Sequence, residues 1–575
     1  MPRSYRPRPG LSLLTLSLLI GACSPDASSP PKVEDTPVFP AQNRPDVRGI
    51  HGAVVSDHPL ASAAGYHVLR DGGNAVDAAL AMAGVLAVVR PHMNGVGGDA
   101  FVFVHEAETG ELHTLNGSGR AGSLATPEFF AEIGVVPEKG PGSVSVPGAV
   151  RAWDDLHRRF ATRPLAELLA PAVEYASQGF PVSTRLASDF SAQGADLNEA
   201  GRDLYLPGGQ PPEVGTLLRN PALGATLERI GREGAAGFYE GDVANTLASF
   251  VADAGGTLLR EDFADHTSTW VEPLSVDYLG HTFHAFPPNT QGMTQVQMME
   301  MAKAFPLNEL GHNTSSYLHT LVEVKKLAFA DRDHWAADPE KADIPLDRLL
   351  DPGYLADRAR LVEADRAAEA VPSGIEGSGD DAGSATLDDR GDTVYLTVVD
   401  ADGNAVSWIQ SLYAGFGSGL LEPTTGVLLH NRGTLFTLED GHPNQIAPGK
   451  RPFHTLSPLI ALRDGDFAFT LGTPGGDSQP QSLLQIVNNL FLFDMTPQEA
   501  LEAPRFRSQG GLRLLLEDRV PSPIRSELSA LGHDVGIVSG WTATFGGAQM
   551  IHLDPSTGVV TAAADPRREA YAIAW

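Results

Sequence analysis

The sequence predicts an α+β fold, with a helix-rich first part and a strand-rich second part, and three observations predict it. Residues 147–366 carry helical patterning interrupted by caps and prolines. From residue 393 onward the texture changes to β-branched runs separated by Gly-rich turns. Between them lie residues 372–392 (PSGIEGSGDDAGSATLDDRGD), rich in Gly, Ser and Asp and poor in anything that packs. Helices and strands segregated along the chain mark an α+β architecture rather than alternating βαβ units.

The elements follow in order. Residues 1–22 are not fold: Arg3, Arg6 and Arg8 precede a short apolar run over residues 11–20, too short to span a bilayer. The small residues before Cys23 resemble a bacterial lipoprotein signal. In that reading Cys23 becomes a lipidated N-terminus, and Ser24 after it favours the outer membrane, facing the periplasm. Cys23 is the sole cysteine, so no disulfide forms within the chain. Residues 23–48 read as a Pro- and Ser-rich tether. Residues 54–89 show helical periodicity, broken by Gly72-Gly73 into two helices, the second capped by Asn74. Residues 101–105 and 112–115 read as paired strands turning at Thr109-Gly110. Residues 318–331 read as an amphipathic helix. Residues 393–400 (TVYLTVVD) and 405–411 form a hairpin around Ala401-Asp-Gly-Asn404. There is no internal repeat and no later membrane-spanning run.

Composition bounds the function. The chain has 575 residues, 42% of them hydrophobic, with a formal net charge of -30. Such an acidic chain lacks the basic face that nucleic acid requires. The sequence contains no HExxH, CxxC, EF-hand loop or GxSxG, and neither Gly95-Val-Gly-Gly98 nor Gly415-Phe-Gly-Ser-Gly419 completes GxGxxG or a P-loop, so no metal or cofactor is expected.

Thr393 stands out against that background. A packing-poor linker running into a strand that starts with Thr suggests a chain cut between Asp392 and Thr393. The cut would leave 49–392 as a large fragment, with 371–392 as its disordered tail, and 393–575 as a small one. It would also free the Thr393 α-amine, which titrates near pH ~8 and can serve as base for its own hydroxyl. Acyl transfer needs donors aimed at the developing oxyanion; Gly475 and Gly476, in Thr470-Leu-Gly-Thr-Pro-Gly-Gly-Asp477, are candidates. Arg120 follows a strand end and is a candidate carboxylate clamp.

Several ordered segments together resemble the γ-glutamyltransferase (glutathione hydrolase) family: Asp57-His-Pro-Leu-Ala-Ser62, Gly72-Gly-Asn-Ala-Val-Asp-Ala78, Pro91-His-Met-Asn-Gly-Val-Gly-Gly98, Pro287-Pro-Asn-Thr-Gln-Gly292, Lys326-Leu-Ala-Phe-Ala-Asp331, Gly391-Asp-Thr-Val-Tyr395, Lys450-Arg-Pro452 and Thr473-Pro-Gly-Gly476. The resemblance implies the four-layer αββα N-terminal-nucleophile fold, built from two subunits that stay associated after the precursor is cut. It makes Thr393 the nucleophile, Ser411 its hydrogen-bonding partner, Gly475 and Gly476 the oxyanion hole and Arg120 the grip on the substrate carboxylate. Tyr413, Arg432 and Leu435 stand where glutathione-cleaving members carry an Asn, a Gln and an Asp that hold the α-amino group. His454-Thr455 replaces two serines near the carboxylate. Residues 436–452 are shorter than the stretch that forms a lid, so the lid is expected to be missing and hydrolysis by water to dominate. These departures resemble the cephalosporin (glutaryl) acylase branch. The expectation is hydrolysis of γ-glutamyl amides, with broader N-acyl amide hydrolysis as the alternative and a non-catalytic solute-binding lipoprotein as the rival of another class.

Overall fold

The computed structural model describes residues 44–375 and 391–575, all within one compact unit. The signal, Cys23 and most of the tether, together with residues 376–390 of the linker, lie outside the described residues.

Two seven-stranded sheets dominate. Their strands, in chain order, are β1 (Val47–Gly49), β2 (Ala53–Ser56), β3 (Asp99–His105), β4 (Leu112–Gly117), β5 (Thr269–Trp270), β6 (Leu274–Tyr278), β7 (His281–Ala285), β8 (Gly391–Val399), β9 (Ala405–Ala414), β10 (Leu459–Arg463), β11 (Asp466–Gly472), β12 (Gln549–Leu553), β13 (Val560–Ala564) and β14 (Tyr571–Ala574). One sheet runs β14-β2-β8-β9-β3-β4-β5, the other β1-β13-β12-β11-β10-β7-β6. Neighbouring strands in both are antiparallel.

The side-chain period of two sorts each strand between layers. In β8, Val394, Leu396 and Val398 join a core with the helices α1 (Pro59–Arg70) and α2 (Ala75–Val89), whereas Tyr395 and Val399 join a core between the sheets. That inner core includes Phe101, Phe103 and Ile409 from the first sheet, and Ile460, Phe467 and Ile551 from the second. The outer face of the second sheet packs Phe283, Ala461 and Phe469 against three helices, α3 (Gly292–Ala302), α4 (Ser315–Trp335) and α5 (Ser478–Phe491). The order helix, sheet, sheet, helix is the αββα arrangement. Polar ties also cross the inner layer: Thr397 Oγ1 lies 2.6 Å from Thr470 Oγ1, and Ser407 Oγ donates to the Leu459 carbonyl at 3.0 Å.

Several sequence expectations are corrected here. Residues 53–56 are a strand, not the start of a helix, because they pair with β8 and β14. The stretch 147–366 is not helical throughout: β5, β6 and β7 fall inside it. The helix over 318–331 exists, but as α4 it is buried on almost every side, with Glu323, Lys325, Lys326, Asp331 and Arg332 all inside. The strand-rich second part also contains α5. The strand holding Thr393 begins at Gly391, so the nucleophile is the third residue of an already paired strand. The cap at Asn74 is present, reciprocated by Asp77 in a capping box.

Candidate active site

The alternation in β8 that sends Val394 to the helix layer sends Thr393 to the inner layer, where it is buried. Opposite it on β9 stands Ser411. Thr393 Oγ1 and Ser411 Oγ are 3.0 Å apart. The pairing register slips between Asp392 and Thr393, so a β-bulge sits on the very bond expected to be cut. Bulges re-aim the groups at which they occur. Here the Asp392 carbonyl accepts a hydrogen bond from Ser411 Oγ at 2.8 Å. The Asp392 carboxylate is held by Arg568 at 3.2 Å. Tyr413, two residues past Ser411, has φ of 78°, a strained value for a bulky side chain, and its N–H donates to Ser411 Oγ at 2.7 Å.

Arg432 lies beneath this pair. Its guanidinium is fully buried, donates to Ser411 Oγ at 3.0 Å and to Thr455 Oγ1 at 3.4 Å, and stacks over the Tyr413 ring at 4.7 Å. Burial lowers it to about 10, with Asp99 working in the opposite direction, so it stays charged at neutral pH. Tyr413 and Leu435 share an apolar cluster with Ala336, Ala414 and Phe453.

A second network lies behind it. Asp99 opens β3, accepts from the N–H groups of Gly119 (2.8 Å) and Gly148 (3.2 Å), and pairs with His430 Nδ1 at 3.0 Å. Burial opposes its ionisation, but His430, His454 and Arg432 outweigh that and hold the carboxyl well below the usual carboxylate range. His454 is buried too, 2.7 Å from Ser118 Oγ, and packs edge-on against Phe101. Burial and the Arg432 charge push it far below the ordinary imidazole value, so it is neutral. His454, expected near substrate, is thus a buried member of the Asp99 network; Thr455 touches Arg432 directly.

The Gly475-Gly476 loop follows β11 of the other sheet. Thr397 faces Thr470, and a Cβ placed on Gly472 would overlap the Tyr395 ring. The two strands therefore run in opposite senses, and continuing that correspondence brings Thr393 to the residues that follow Gly472. Gly475 and Gly476 adopt φ of 126° and 55°, values that favour glycine. Their carbonyls turn into the first turn of α5, accepting from the N–H groups of Ser478 (3.0 Å) and Gln479 (3.1 Å). In a trans peptide the N–H points opposite the preceding carbonyl, so the Gly476 N–H faces away from α5. The positive end of the α5 dipole adds to it. Gln291 braces the loop by donating to the carbonyls of Gly476, at 3.1 Å, and Thr455. Arg332 in turn holds Gln291 at 3.0 Å and Asp477 at 2.8 Å.

Arg120 is engaged elsewhere: Nη2 donates to Glu340 at 2.7 Å and Nη1 to the Thr267 carbonyl at 3.2 Å. Glu340 also takes Arg451 at 2.7 Å. Among the described residues, His319, Glu323 and His533 bring metal-ligand atoms together. Two of those contacts are already taken up, His319 with His533 and Glu323 with Lys326, each at 2.8 Å. Sequence reasoning missed Asp99, His430, Gln291 and Arg332. Two local signals were available: Asp99 follows directly on the Gly-Val-Gly-Gly98 run, and Gln291 lies within the Pro287-Pro-Asn-Thr-Gln-Gly292 segment.

The γ-glutamyltranspeptidase family model matches residues 61–575. A Bacillus subtilis (strain 168) protein, the glutathione hydrolase-like YwrD proenzyme, is 36% identical over 92% of this chain and 99% of its own length. The acylase ACY 1 proenzyme of Pseudomonas sp. (strain SE83) is 35% identical over 93% and 94%. The crystal structure of cephalosporin acylase from Bacillus halodurans superposes with a TM-score of 0.86 at 34% identity, covering 96% of this chain and 99% of that one.

Proposed function

The chain belongs to the γ-glutamyltranspeptidase family, and from that premise we propose that it is a self-processing amidohydrolase of acylase type, cleaving N-acyl amides through an acyl-Thr393 ester. Thr393 Oγ attacks the amide carbonyl with its own freed amine as base, the amine product leaves, and water hydrolyses the ester. The Gly475 and Gly476 N–H groups receive the oxyanion.

The observation that carries the acylase reading is the buried guanidinium of Arg432 beside Ser411. A γ-glutamyl donor presents an α-ammonium, and the positions expected to hold it carry Tyr413, Arg432 and Leu435. A guanidinium has donors only and repels an ammonium; Leu435 offers no acceptor. A glutaryl group lacks the ammonium and loses nothing there. Arg120 remains the proposed grip for its terminal carboxylate, in competition with Glu340. The relatives named as acylases support this reading; the glutathione hydrolase-like relative supports γ-glutamyl cleavage.

The deciding experiment compares kcat/KM for glutaryl- and γ-glutamyl-p-nitroanilide, which differ only by the α-amino group. We expect glutaryl to be equal or preferred; a strong γ-glutamyl preference would return the assignment to glutathione-type substrates. Thr393→Ala should leave one uncut, inactive chain by intact mass. We also place the enzyme in the bacterial envelope, lipid-anchored through Cys23. That rests on the sequence around Cys23, and Cys23→Ser should move the protein from the detergent to the aqueous phase in Triton X-114 partition.

A further inference from the structure

Four groups converge on one hydroxyl. Ser411 Oγ has Arg432 Nη2 at 3.0 Å, the Tyr413 N–H at 2.7 Å, the Asp392 carbonyl oxygen at 2.8 Å and Thr393 Oγ1 at 3.0 Å. A serine hydroxyl has two acceptor lone pairs and one proton. The guanidinium and the backbone N–H can only donate, and the Thr393 hydroxyl donates as well, so three donors share the two lone pairs. The one proton left is then committed outward, to the carbonyl of the bond that is to be cut.

We propose that Arg432 is a positioning residue for self-cleavage: by donating to Ser411 it turns the Ser411 hydroxyl into the oxyanion donor for the Asp392 carbonyl. The proposal rests on the reading of Thr393 as the self-cutting nucleophile. It gives maturation a different oxyanion site from the Gly475-Gly476 donors used on substrate. In the step itself, a bond forms between Thr393 Oγ and the Asp392 carbonyl carbon. The Asp392–Thr393 C–N bond breaks, and the threonine hydroxyl proton ends on the Thr393 nitrogen. Water then hydrolyses the resulting ester, giving the Asp392 α-carboxylate and restoring the Thr393 hydroxyl. Negative charge on the carbonyl oxygen develops beside a hydroxyl that is itself backed by a cation, where preorganised donors act most strongly.

The surroundings fit a fixed charge rather than a mobile substrate contact. Arg432 is fully buried, flanked by the Tyr413 ring and Thr455. Asp99 from β3 supplies the nearby negative charge, while His454 beside it is neutral. The Asp392 side chain faces Arg568. A neutral glutamine, the family's counterpart at this position, could donate to Ser411 without bringing the charge.

The test follows maturation of the full-length chain made by cell-free synthesis, reading the appearance of the two fragments on denaturing gels, with no substrate involved. Arg432→Met should slow cleavage at least tenfold, and Arg432→Lys should recover much of the loss. Ser411→Ala should be slowed to a similar degree, and the double variant should be no slower than Ser411→Ala alone. Cleavage of Arg432→Met at the wild-type rate, or a double variant slowed by the product of the two single effects, would overturn the proposal. If Arg432→Met does not fold, Arg432→Leu, which also lacks a donor, takes its place in the cycle with the same non-additivity expected. Thr393→Ala separates the two readings: if it is still cut, the nucleophile assignment itself fails. If it stays intact while Arg432→Met matures normally, only the role of Arg432 fails.

Discussion

At the scale of single residues, the charges around the site are not interchangeable. Arg432 is buried and donates to Ser411, whereas Arg120 is partly exposed and bound to the more exposed Glu340. Partial burial would raise the Glu340 carboxyl, but Arg120 and Arg451 hold it below its ordinary value. If Arg120 grips the acyl carboxylate, that carboxylate must compete with Glu340. Partly exposed ion pairs are worth up to about 1 kcal/mol, so Glu340→Gln should lower KM for glutaryl-p-nitroanilide by about two- to fivefold with kcat little changed. An unchanged KM would mean that another group holds the acid tip. Much of this scale was legible in the sequence, since Thr393, Ser411 and the glycine pair could be singled out from local context and ordered motifs. The Asp99 network was not. Asp99 is brought to His430 and His454 from more than three hundred residues away, and nothing local to His454 shows that its ring is buried against Phe101 and Ser118.

At the scale of elements, legibility followed length and local turn signals rather than exposure, since β9 is buried throughout while β6 and β7 are partly exposed. The hairpin of β8 and β9 could be read from its strand-forming run and its Ala401-Asp-Gly-Asn404 turn. The short strands β6 and β7 were lost among helical patterns, because five residues hold too few periods to outvote their flanks. Helix α4 looked amphipathic because it alternates charged and apolar residues, yet its charged face is turned inward to hold Gln291 and Asp477 beside the oxyanion loop. Burying that face has a pH signature. Burial, aided by the Arg332 charge, lowers Lys325 to about 7, whereas an unfolded lysine titrates near ~10.4. Between those values the unfolded chain binds the extra proton, so the Lys325 contribution to stability rises with pH across that window. Its penalty is full below about pH 7. Lys325→Met should therefore raise the unfolding temperature more at pH 6 than at pH 10. An equal gain at both would show that lost packing, not charge burial, sets the difference.

For the molecule as a whole, the proposed cut at Asp392–Thr393 would divide the chain but not the fold. Strands β1 to β7 lie before it, β8 would be cut after its second residue, and β9 to β14 lie after it. In the first sheet, β2 from the leading fragment is inserted between β14 and β8 of the trailing one. In the second, β1 borders β13 at one edge and β7 borders β10 further in. Each inter-fragment seam is a backbone ladder, and the inner apolar core draws Phe101 and Phe286 from one fragment and Ile409, Ile460 and Ile551 from the other. Neither fragment can bury its own half of that core alone, and exposing it would cost far more than the net stability of ordinary domains, about 5–15 kcal/mol. The proposed cleavage would therefore free the Thr393 amine without releasing a subunit. The mature protein should elute as one species holding both fragments in native buffer. It should unfold in one denaturant transition, with the fragments separating only across that transition. Recovery of a folded 393–575 fragment at sub-denaturing concentration would show that the two layers are less interdependent than their strand order requires.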